Sequence, residues 1–165
     1  MSVPETTLVP PASEQVSLIR SFLEQLARDE AVPRAGATDD FLQRTLFGES
    51  PAATARLICH QRPGEAAPLA CGLAVYSWKW GAFSGVLDMY LHVLFVEPAF
   101  RGRGIAQAAV ADLMAIAQAH GATRLELLTT AGNDRAAAFY DKLGIGVASH
   151  MVVRRKSCPS LETAT

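Results

Sequence analysis

The sequence predicts a mixed α/β domain of the α+β class, with helices covering a mostly antiparallel sheet. Segments with helical periodicity alternate with short strand-like runs, in the order helix, helix, antiparallel strands, helix, strand, helix, strand. One of these runs, GVLDMYLHVLFV, is apolar on both pleat faces, as expected for a central strand that is covered on both sides. The chain has 165 residues, and half of them are apolar. This size suits a single domain over residues 1–165 with one core.

The first half of the chain predicts two helices and a β-hairpin. SEQVSLIRSFLEQLARDE places its apolar residues on one helical face, with Ser13 as the cap, and DDFLQRTLF follows Thr38 as a second cap. TARLICH and PLACGLAVYSW have the composition of strands. The proline and glycine in the intervening QRPGEAA predict the turn that joins them.

The second half predicts the remaining elements. After GVLDMYLHVLFV, a helix is expected from about Gly104 to His120, ending at Gly121. RLELLTT is predicted to be a strand, DRAAAFYDKL a helix closed by Gly144, and VASHMVVRR a last strand. Residues 1–11 and 156–165 are predicted to be loosely ordered ends.

Composition and charge exclude several classes of function. A formal net charge of −1 provides no field that would attract nucleic acid or a membrane surface. No apolar run approaches the roughly 20 residues needed to cross a bilayer, and the first residues do not resemble a signal peptide, so the expected location is cytoplasmic. Three cysteines without a CxxC pair predict neither a disulfide framework nor a metal site.

The turn RGRG between the central strand and the following helix favours an anion. The first N–H groups of a helix lack internal partners, and the helix dipole adds partial positive charge there. Gly102 and Gly104 let a phosphate approach the backbone, and Arg101 and Arg103 add charge. A tight turn with two solvated arginines remains an alternative for this motif alone. The P-loop and dinucleotide fingerprints are excluded because their further residues are missing.

Two spaced motifs resemble the GNAT superfamily of acyl-CoA-dependent N-acetyltransferases. RGRGIA fits the pattern (Q/R)xxGx(G/A), and NDRAAAFYDKLGI resembles NxxAxxFYxxxGF except that Ile145 replaces the usual aromatic. The matching positions are Arg101, Gly104, Ala106, Asn133, Ala136, Phe139, Tyr140 and Gly144. Within the superfamily, QLARDE and YLHVLFVEPAFRGRGIA are most similar to segments of the spermidine/spermine (diamine) acetyltransferases.

The resemblance implies a GNAT fold with about four helices and a six- to seven-stranded sheet, in which the central strand and RLELLTT are parallel and splayed apart. It also implies acetyl-CoA as the cofactor. Its pantetheine arm would form hydrogen bonds in the opening between these two strands, and its pyrophosphate would lie on the RGRG turn. A backbone N–H near Phe95 would meet the oxyanion. The implied cofactor residues are Leu94, Phe95, Val96, Arg101, Gly102, Arg103, Gly104, Ile105, Ala106, Asn133, Ala136 and Tyr140.

Acetylation of an amine requires a neutral nucleophile and a proton for the leaving thiolate. An alkyl ammonium is almost wholly protonated at neutral pH, so a base must act or desolvation must lower its pKa. His92 stands where the diamine branch has a glutamate, and an imidazole is a competent base at neutral pH. A substrate ligand or a packing residue are the alternatives for His92. The resemblance implies Tyr140 as the general acid.

The acceptor is predicted to be a small-molecule primary amine: a polyamine, an amino-acid analogue or an amine-bearing antibiotic. Glu30 stands where the diamine branch carries the acidic residue that ends the first helix, and Asp29 beside it stands where the branch has an aromatic. These acids are either ligands of a distal ammonium or a solvated helix end. Trp78 is expected to provide an aromatic wall near the acceptor or to be an ordinary strand aromatic. The diamine branch further implies a homodimer. A non-catalytic acyl-CoA sensor is the alternative function.

Overall fold

The computed structural model describes residues 5–32, 36–83 and 85–156. Its contacts divide the chain into two compact units, Met1–Asn133 and Asp134–Thr165. The helices and strands are β1 (Thr6–Val9), α1 (Val16–Asp29), α2 (Asp39–Phe47), β2 (Thr54–His60), β3 (Leu69–Trp80), β4 (Leu87–Val96), α3 (Ile105–Ala119), β5 (Leu125–Leu127) and α4 (Asp134–Lys142).

The first unit contains a mixed sheet with the strand order β1-β2-β3-β4-β5. All neighbouring strands are antiparallel except β4 and β5, which are parallel. The predicted α+β class and the parallel pair are confirmed. The described residues form five strands, however, and not six or seven.

Two differences at the chain ends change which segments form the strands, without changing the number that the sequence patterns predict. Thr6–Val9 pair with β2, so the prediction of a loose end over residues 1–11 is wrong for this segment. The predicted last strand, VASHMVVRR, is irregular over its whole length, residues 147–155. Its β-branched residues favour a strand, but a strand forms only where a second backbone supplies the ladder hydrogen bonds. Residues 1–4 and 157–165 lie outside the described residues.

The helix ends follow local hydrogen bonding. Thr38 caps α2 as predicted, because its Oγ1 accepts a hydrogen bond from the N–H of Phe41 at 3.2 Å. The predicted cap at Ser13 is wrong, since residues 13–15 form a separate 3₁₀ turn and α1 begins at Val16. Gly121 follows the last turn of α3 with a φ of 73°. This is the left-handed conformation that a helix terminator requires.

The helices of the first unit cover the two faces of the sheet unequally. The α1/α2 face is the side on which Phe22 of α1 and Leu42 of α2 pack with Leu73 and Phe95. The α3 face is the side on which Leu113 of α3 packs with β3 and β4, and these core residues are fully or almost fully buried. Within the described residues, no helix is both long and apolar enough to cross a bilayer.

Candidate active site

A β-bulge in β4 lies at His92. Val75 pairs with Val93 and Tyr76 pairs with Leu91, so His92 is the extra residue on the β4 side. Leu91 packs on the α3 face, whereas Val93 packs on the α1/α2 face although it is two positions away. The bulge therefore shifts by one residue the alternation of β4 side chains between the two faces, and it changes the direction of the backbone beside His92.

The parallel strands β4 and β5 diverge immediately before this bulge. Their pairing covers only Met89 to Leu91 on β4, whereas β4 continues to Val96. The end of β4 beyond Leu91 therefore has no β5 partner among the described residues. This is the splayed pair that the sequence resemblance implies.

The alternation of the backbone decides which groups face that opening. The N–H of Glu97 donates to the carbonyl of Cys71 on β3 at 2.9 Å, so the odd-numbered residues of this end of β4 turn their backbone groups toward β3. Phe95 belongs to this set, and its oxygen would lie 2.2 Å from a Cβ on Gly72. The N–H of Phe95 itself therefore points toward β3, and the expectation of an oxyanion donor near Phe95 stays a prediction for the neighbouring residues. The backbone groups of Leu94 and Val96 point away from β3, and the carbonyl of Val96 is used by Arg101, whose Nε donates to it at 2.7 Å.

The turn after β4 has the geometry of an anion site. Gly102 and Gly104 have φ values of 75° and 76°, and a Cβ on either would meet no other atom within 4 Å. Gly104 is the N-cap of α3, whose first hydrogen bond runs from Ala108 N to Gly104 O at 2.9 Å. The N–H groups of Ile105 to Gln107 precede that bond, so helix geometry leaves them without an acceptor one turn earlier. The dipole of α3 adds partial positive charge to the same place.

Arg101 and Arg103 differ in their surroundings. Arg101 donates from Nε to the carbonyl of Val96 at 2.7 Å, and its guanidinium forms an ion pair with Asp29. It also lies over the ring of Phe95, 5.5 Å from its centroid. Arg103 is exposed in the turn. Arg101 thus packs against the end of β4 and has its charge paired with Asp29. Arg103 has its charge exposed to solvent.

The end of α1 contacts residues predicted for the cofactor. Besides the ion pair of Asp29 with Arg101, Glu30 Oε1 accepts a hydrogen bond of 2.6 Å from Asn133 Nδ2. The two acids that were expected near the acceptor are thus paired with two residues that are predicted to bind the cofactor. Their carboxylates hold the strand end and the loop before α4 against α1.

A polar surface occupies the part of the α1/α2 face nearest the bulge. His92 Nε2 shares a hydrogen bond of 2.8 Å with Ser77 Oγ, and its ring makes an edge contact with Tyr90 at 4.8 Å between centroids. Lys79 forms an ion pair with Glu126, which is opposite Tyr90 in the β4–β5 register. We call these five residues, Ser77, Lys79, Tyr90, His92 and Glu126, the polar strand surface.

Charge and burial tune two groups on this side of the sheet. Partial burial lowers the pKa of His92 below its ordinary value of 6.5, so the imidazole is neutral at pH 7. Asp88 is fully buried and accepts two hydrogen bonds from Arg124, at 3.1 and 2.8 Å. These bonds hold the pKa of the Asp88 carboxyl below its usual range. The described residues contain no group of three ligating side chains that would hold a metal ion.

Trp78 does not lie on the polar strand surface. It packs on the α3 face, where its ring stacks on His120 with 4.8 Å between centroids and makes an edge contact with Tyr76 at 5.7 Å. Adjacent strand residues point to opposite faces, and Ser77 occupies the polar one. The packing of Trp78 suits the alternative of an ordinary strand aromatic, and its role as an acceptor wall stays a prediction.

Sequence reasoning missed Ser77, Lys79 and Tyr90. Ser77 and Lys79 alternate with the aromatics of YSWKW, which is the period-two signal of one polar and one apolar face. The sequence alone therefore predicts that the side chains of Lys79 and Trp78 lie on opposite faces of the sheet. The contact of Tyr90 with His92 depends on the bulge, for which the sequence has no comparable signal.

The second unit contains α4, on which Ala136 and Tyr140 lie one helical turn apart. The rings of Phe139 and Tyr140 make an edge contact at 5.1 Å between centroids. The N–H of Ile145 donates to the carbonyl of Tyr140 at 3.0 Å, and Gly144 has a φ of 74°, so the helix closes at the predicted glycine. The roles predicted for Ala136 and Tyr140 stay predictions.

Comparison with known proteins identifies a family and several proteins to which this chain is similar. The model of the acetyltransferase (GNAT) family matches residues 21–145. The thialysine N-ε-acetyltransferase of Bos taurus is 25% identical over 132 residues, which are 78% of this chain and 76% of that protein. An integron cassette protein of V. cholerae has a similar fold, with a TM-score of 0.74, 22% identity and 94% of each chain covered. An aminoglycoside N-acetyltransferase solved with CoA has a TM-score of 0.69 at 18% identity, covering 95% of this chain and 100% of that one.

Proposed function

Because the chain belongs to the GNAT family of acetyltransferases, we propose that it transfers an acetyl group from acetyl-CoA to a primary amine of a small molecule. The amine attacks directly while both substrates are bound. The observation that carries the proposal is the opening between β4 and β5, which leads from the bulge at His92 to the glycine turn at the start of α3.

The residues present fit acetyl-CoA. The N–H and C=O groups of Leu94 and the N–H of Val96 face the opening and suit the amides of a pantetheine arm, as an added strand would. The carbonyl of Val96 already accepts a hydrogen bond from Arg101. Gly102, Gly104 and the N–H groups at the start of α3 suit a diphosphate, with Arg103 as the exposed charge. The resemblance to the family's motif adds Asn133, Ala136 and Tyr140 to the proposed cofactor residues. When bound, acetyl-CoA supplies the activated acetyl group.

The chain's own residues supply the proton transfers. His92 is the proposed base: its neutral imidazole takes a proton from the acceptor ammonium, directly or through a water molecule. Ser77 orients that imidazole through the 2.8 Å hydrogen bond. Tyr140 is the proposed acid and holds a proton on its phenol oxygen for the leaving sulfur. The pKa of a thiol is lower than that of a phenol, so the sulfur of CoA can leave as a thiolate. The proton from Tyr140 therefore accelerates the reaction without being essential to it.

The acceptor is proposed to be a polyamine, an amino-acid analogue or an amine-bearing antibiotic. The relatives' names support the last two, since one acts on thialysine and another on aminoglycosides. We also propose a homodimer, as the diamine branch implies, and a cytoplasmic location, which suits the free thiols of Cys59 and Cys71.

The test is a CoA-release assay with acetyl-CoA across polyamines, diamino acids, aminoglycosides and arylamines, together with a thermal-shift titration of acetyl-CoA. We expect stabilisation by acetyl-CoA and turnover with one class of amine. Stabilisation without turnover on any amine would favour the acyl-CoA sensor. The absence of stabilisation would refute the assignment of the turn and the opening.

A further inference from the structure

The polar strand surface carries an ion pair that the proposed chemistry does not use. Lys79 and Glu126 are bonded across the sheet, and their side chains are 40% and 26% exposed. An ion pair with this exposure contributes little to stability, because both charges remain partly solvated. A ligand that offers a matching charge to each partner can therefore replace it at small cost.

The charges around this pair are balanced. Asp88, which is opposite Lys79 in the β3–β4 register, is buried and bonded to Arg124. Asp29 is likewise occupied, by Arg101. An acceptor with a second ammonium group would meet Glu126, whose charge Lys79 already neutralises. An acceptor that carries both a carboxylate and an ammonium group would instead find one partner for each.

We propose that Lys79 and Glu126 determine acceptor specificity by binding the carboxylate and the α-ammonium of an amino acid whose side chain carries the reacting amine. The proposal rests on the acetyltransferase function above and names the substrate class of the same site. Lys79 takes the carboxylate and Glu126 takes the α-ammonium, so the ion pair opens into two new pairs.

The spacing on the strands agrees with such an acceptor. Glu126 is opposite Tyr90, and His92 lies two residues further along β4. Two residues of a strand span about 7 Å. A lysine-like side chain places its terminal amine about 6 Å from its α-carbon, from single-bond lengths. The terminal amine can then reach His92 while the α-substituents lie at Lys79 and Glu126.

The experiment uses three acceptors that differ by one charged group each. L-Lysine has the α-carboxylate and the α-ammonium, cadaverine lacks the carboxylate, and 6-aminohexanoate lacks the α-ammonium. We expect the wild-type protein to have its highest kcat/KM with L-lysine. Lys79→Gln should lower kcat/KM about tenfold for L-lysine and 6-aminohexanoate, the low end for a charged hydrogen bond at a half-exposed site, and should not lower it for cadaverine, because Glu126 then no longer has Lys79 as its partner. Glu126→Gln should lower kcat/KM similarly for L-lysine and cadaverine, and should not lower it for 6-aminohexanoate, because Lys79 then no longer has Glu126 as its partner.

Two controls separate recognition from folding. Arg20→Gln removes ion pairs of similar exposure on α1, with Glu24 at 3.1 Å and with Asp39 at 2.6 Å, and should leave all three acceptors unchanged. Lys79→Arg keeps the cation and should retain the preference for the carboxylate. The thermal shift with acetyl-CoA should be the same in every variant, because none of them alters the glycine turn.

The outcomes distinguish this proposal from the function on which it rests. Equal losses with all three acceptors in Lys79→Gln would show a structural ion pair and overturn the assignment. Equal wild-type activity with cadaverine and L-lysine would also overturn it. Turnover of other amines, unaffected by either variant, would overturn this proposal and leave the acetyltransferase standing. Binding of acetyl-CoA without turnover of any amine would overturn both.

Discussion

Replacing Gly104 with valine tests the proposal that the glycine turn before α3 binds the diphosphate of acetyl-CoA. Gly121→Val is the matched control. The two glycines lie at opposite ends of α3, with φ values of 76° and 73°. A Cβ at either position would meet no other atom within 4 Å. Their conformational cost is therefore the same, but only Gly104 lies in the turn proposed to hold the diphosphate.

The magnitudes follow from this geometry. The left-handed conformation costs an L-residue about 1–2 kcal/mol, and we expect both variants to lose at least this much stability. At Gly104 the branched side chain would also occupy the space of a phosphate oxygen. Losing one charge-assisted hydrogen bond costs about 1.5–3 kcal/mol, which corresponds to a roughly 10- to 150-fold weaker affinity for acetyl-CoA.

Calorimetric titration with acetyl-CoA and urea unfolding measure the two effects separately. We expect similar losses in the free energy of unfolding for both variants, and weaker acetyl-CoA binding for Gly104→Val alone. Unchanged affinity in Gly104→Val would refute the anion-binding role of the turn. Equal weakening in Gly121→Val would attribute the effect to α3 as a whole.

Three further predictions concern the proton transfers and the sheet. Tyr140→Phe should lower kcat about ten- to a hundredfold, with unchanged acetyl-CoA affinity by calorimetry, because a thiolate needs little general-acid help; an unchanged kcat would reject Tyr140 as the acid. The acid limb of the kcat/KM–pH profile, which reports the free enzyme, should have a midpoint below 6.5, since partial burial lowers the pKa of His92, and His92→Gln should abolish that limb; an identical limb in the variant would assign the titration to another group. Because the hydrogen bonds from Arg124 lower the pKa of Asp88 in the folded state, their stabilisation is present above the unfolded pKa and is lost as the pH falls through the folded pKa. Arg124→Met should therefore unfold at a lower urea concentration than the wild-type protein at pH 7. The difference between the two urea midpoints should become smaller below about pH 4, where Asp88 is protonated in the unfolded state. A difference that stays constant with pH would contradict the link between this stabilisation and the charge of Asp88.

Local signals made several elements predictable from the sequence. The cap at Thr38 and the terminating glycines Gly121 and Gly144 depend only on nearby backbone hydrogen bonds and φ angles, and all three are confirmed. Ser13 shows the limit of this reasoning. Its residue type suits a cap, but the chain closes a 3₁₀ turn first, and α1 begins three residues later.

Features that depend on pairing could not be predicted in the same way. The strand at Thr6–Val9 exists because β2 supplies its ladder, and VASHMVVRR lacks such a partner in the described residues although its composition suits a strand. The bulge at His92 is a mismatch between two strands, so neither strand alone reveals it. Extrapolating a period of two through β4 would place Leu91 and Val93 on one face, and the bulge puts them on opposite faces.

The acids at the end of α1 change how acceptor selection is expected to work. The resemblance to diamine acetyltransferases suggested Asp29 and Glu30 as ligands for a distal ammonium. In the structure Asp29 is paired with Arg101 and Glu30 accepts a hydrogen bond from Asn133, so both carboxylates already have partners among the residues proposed to bind the cofactor. An ammonium group would have to displace these contacts, which would loosen the end of β4 and the loop before α4. We therefore expect the acceptor preference to depend on the polar strand surface and not on α1, so that neutralising Asp29 changes the KM for acetyl-CoA more than the choice of amine.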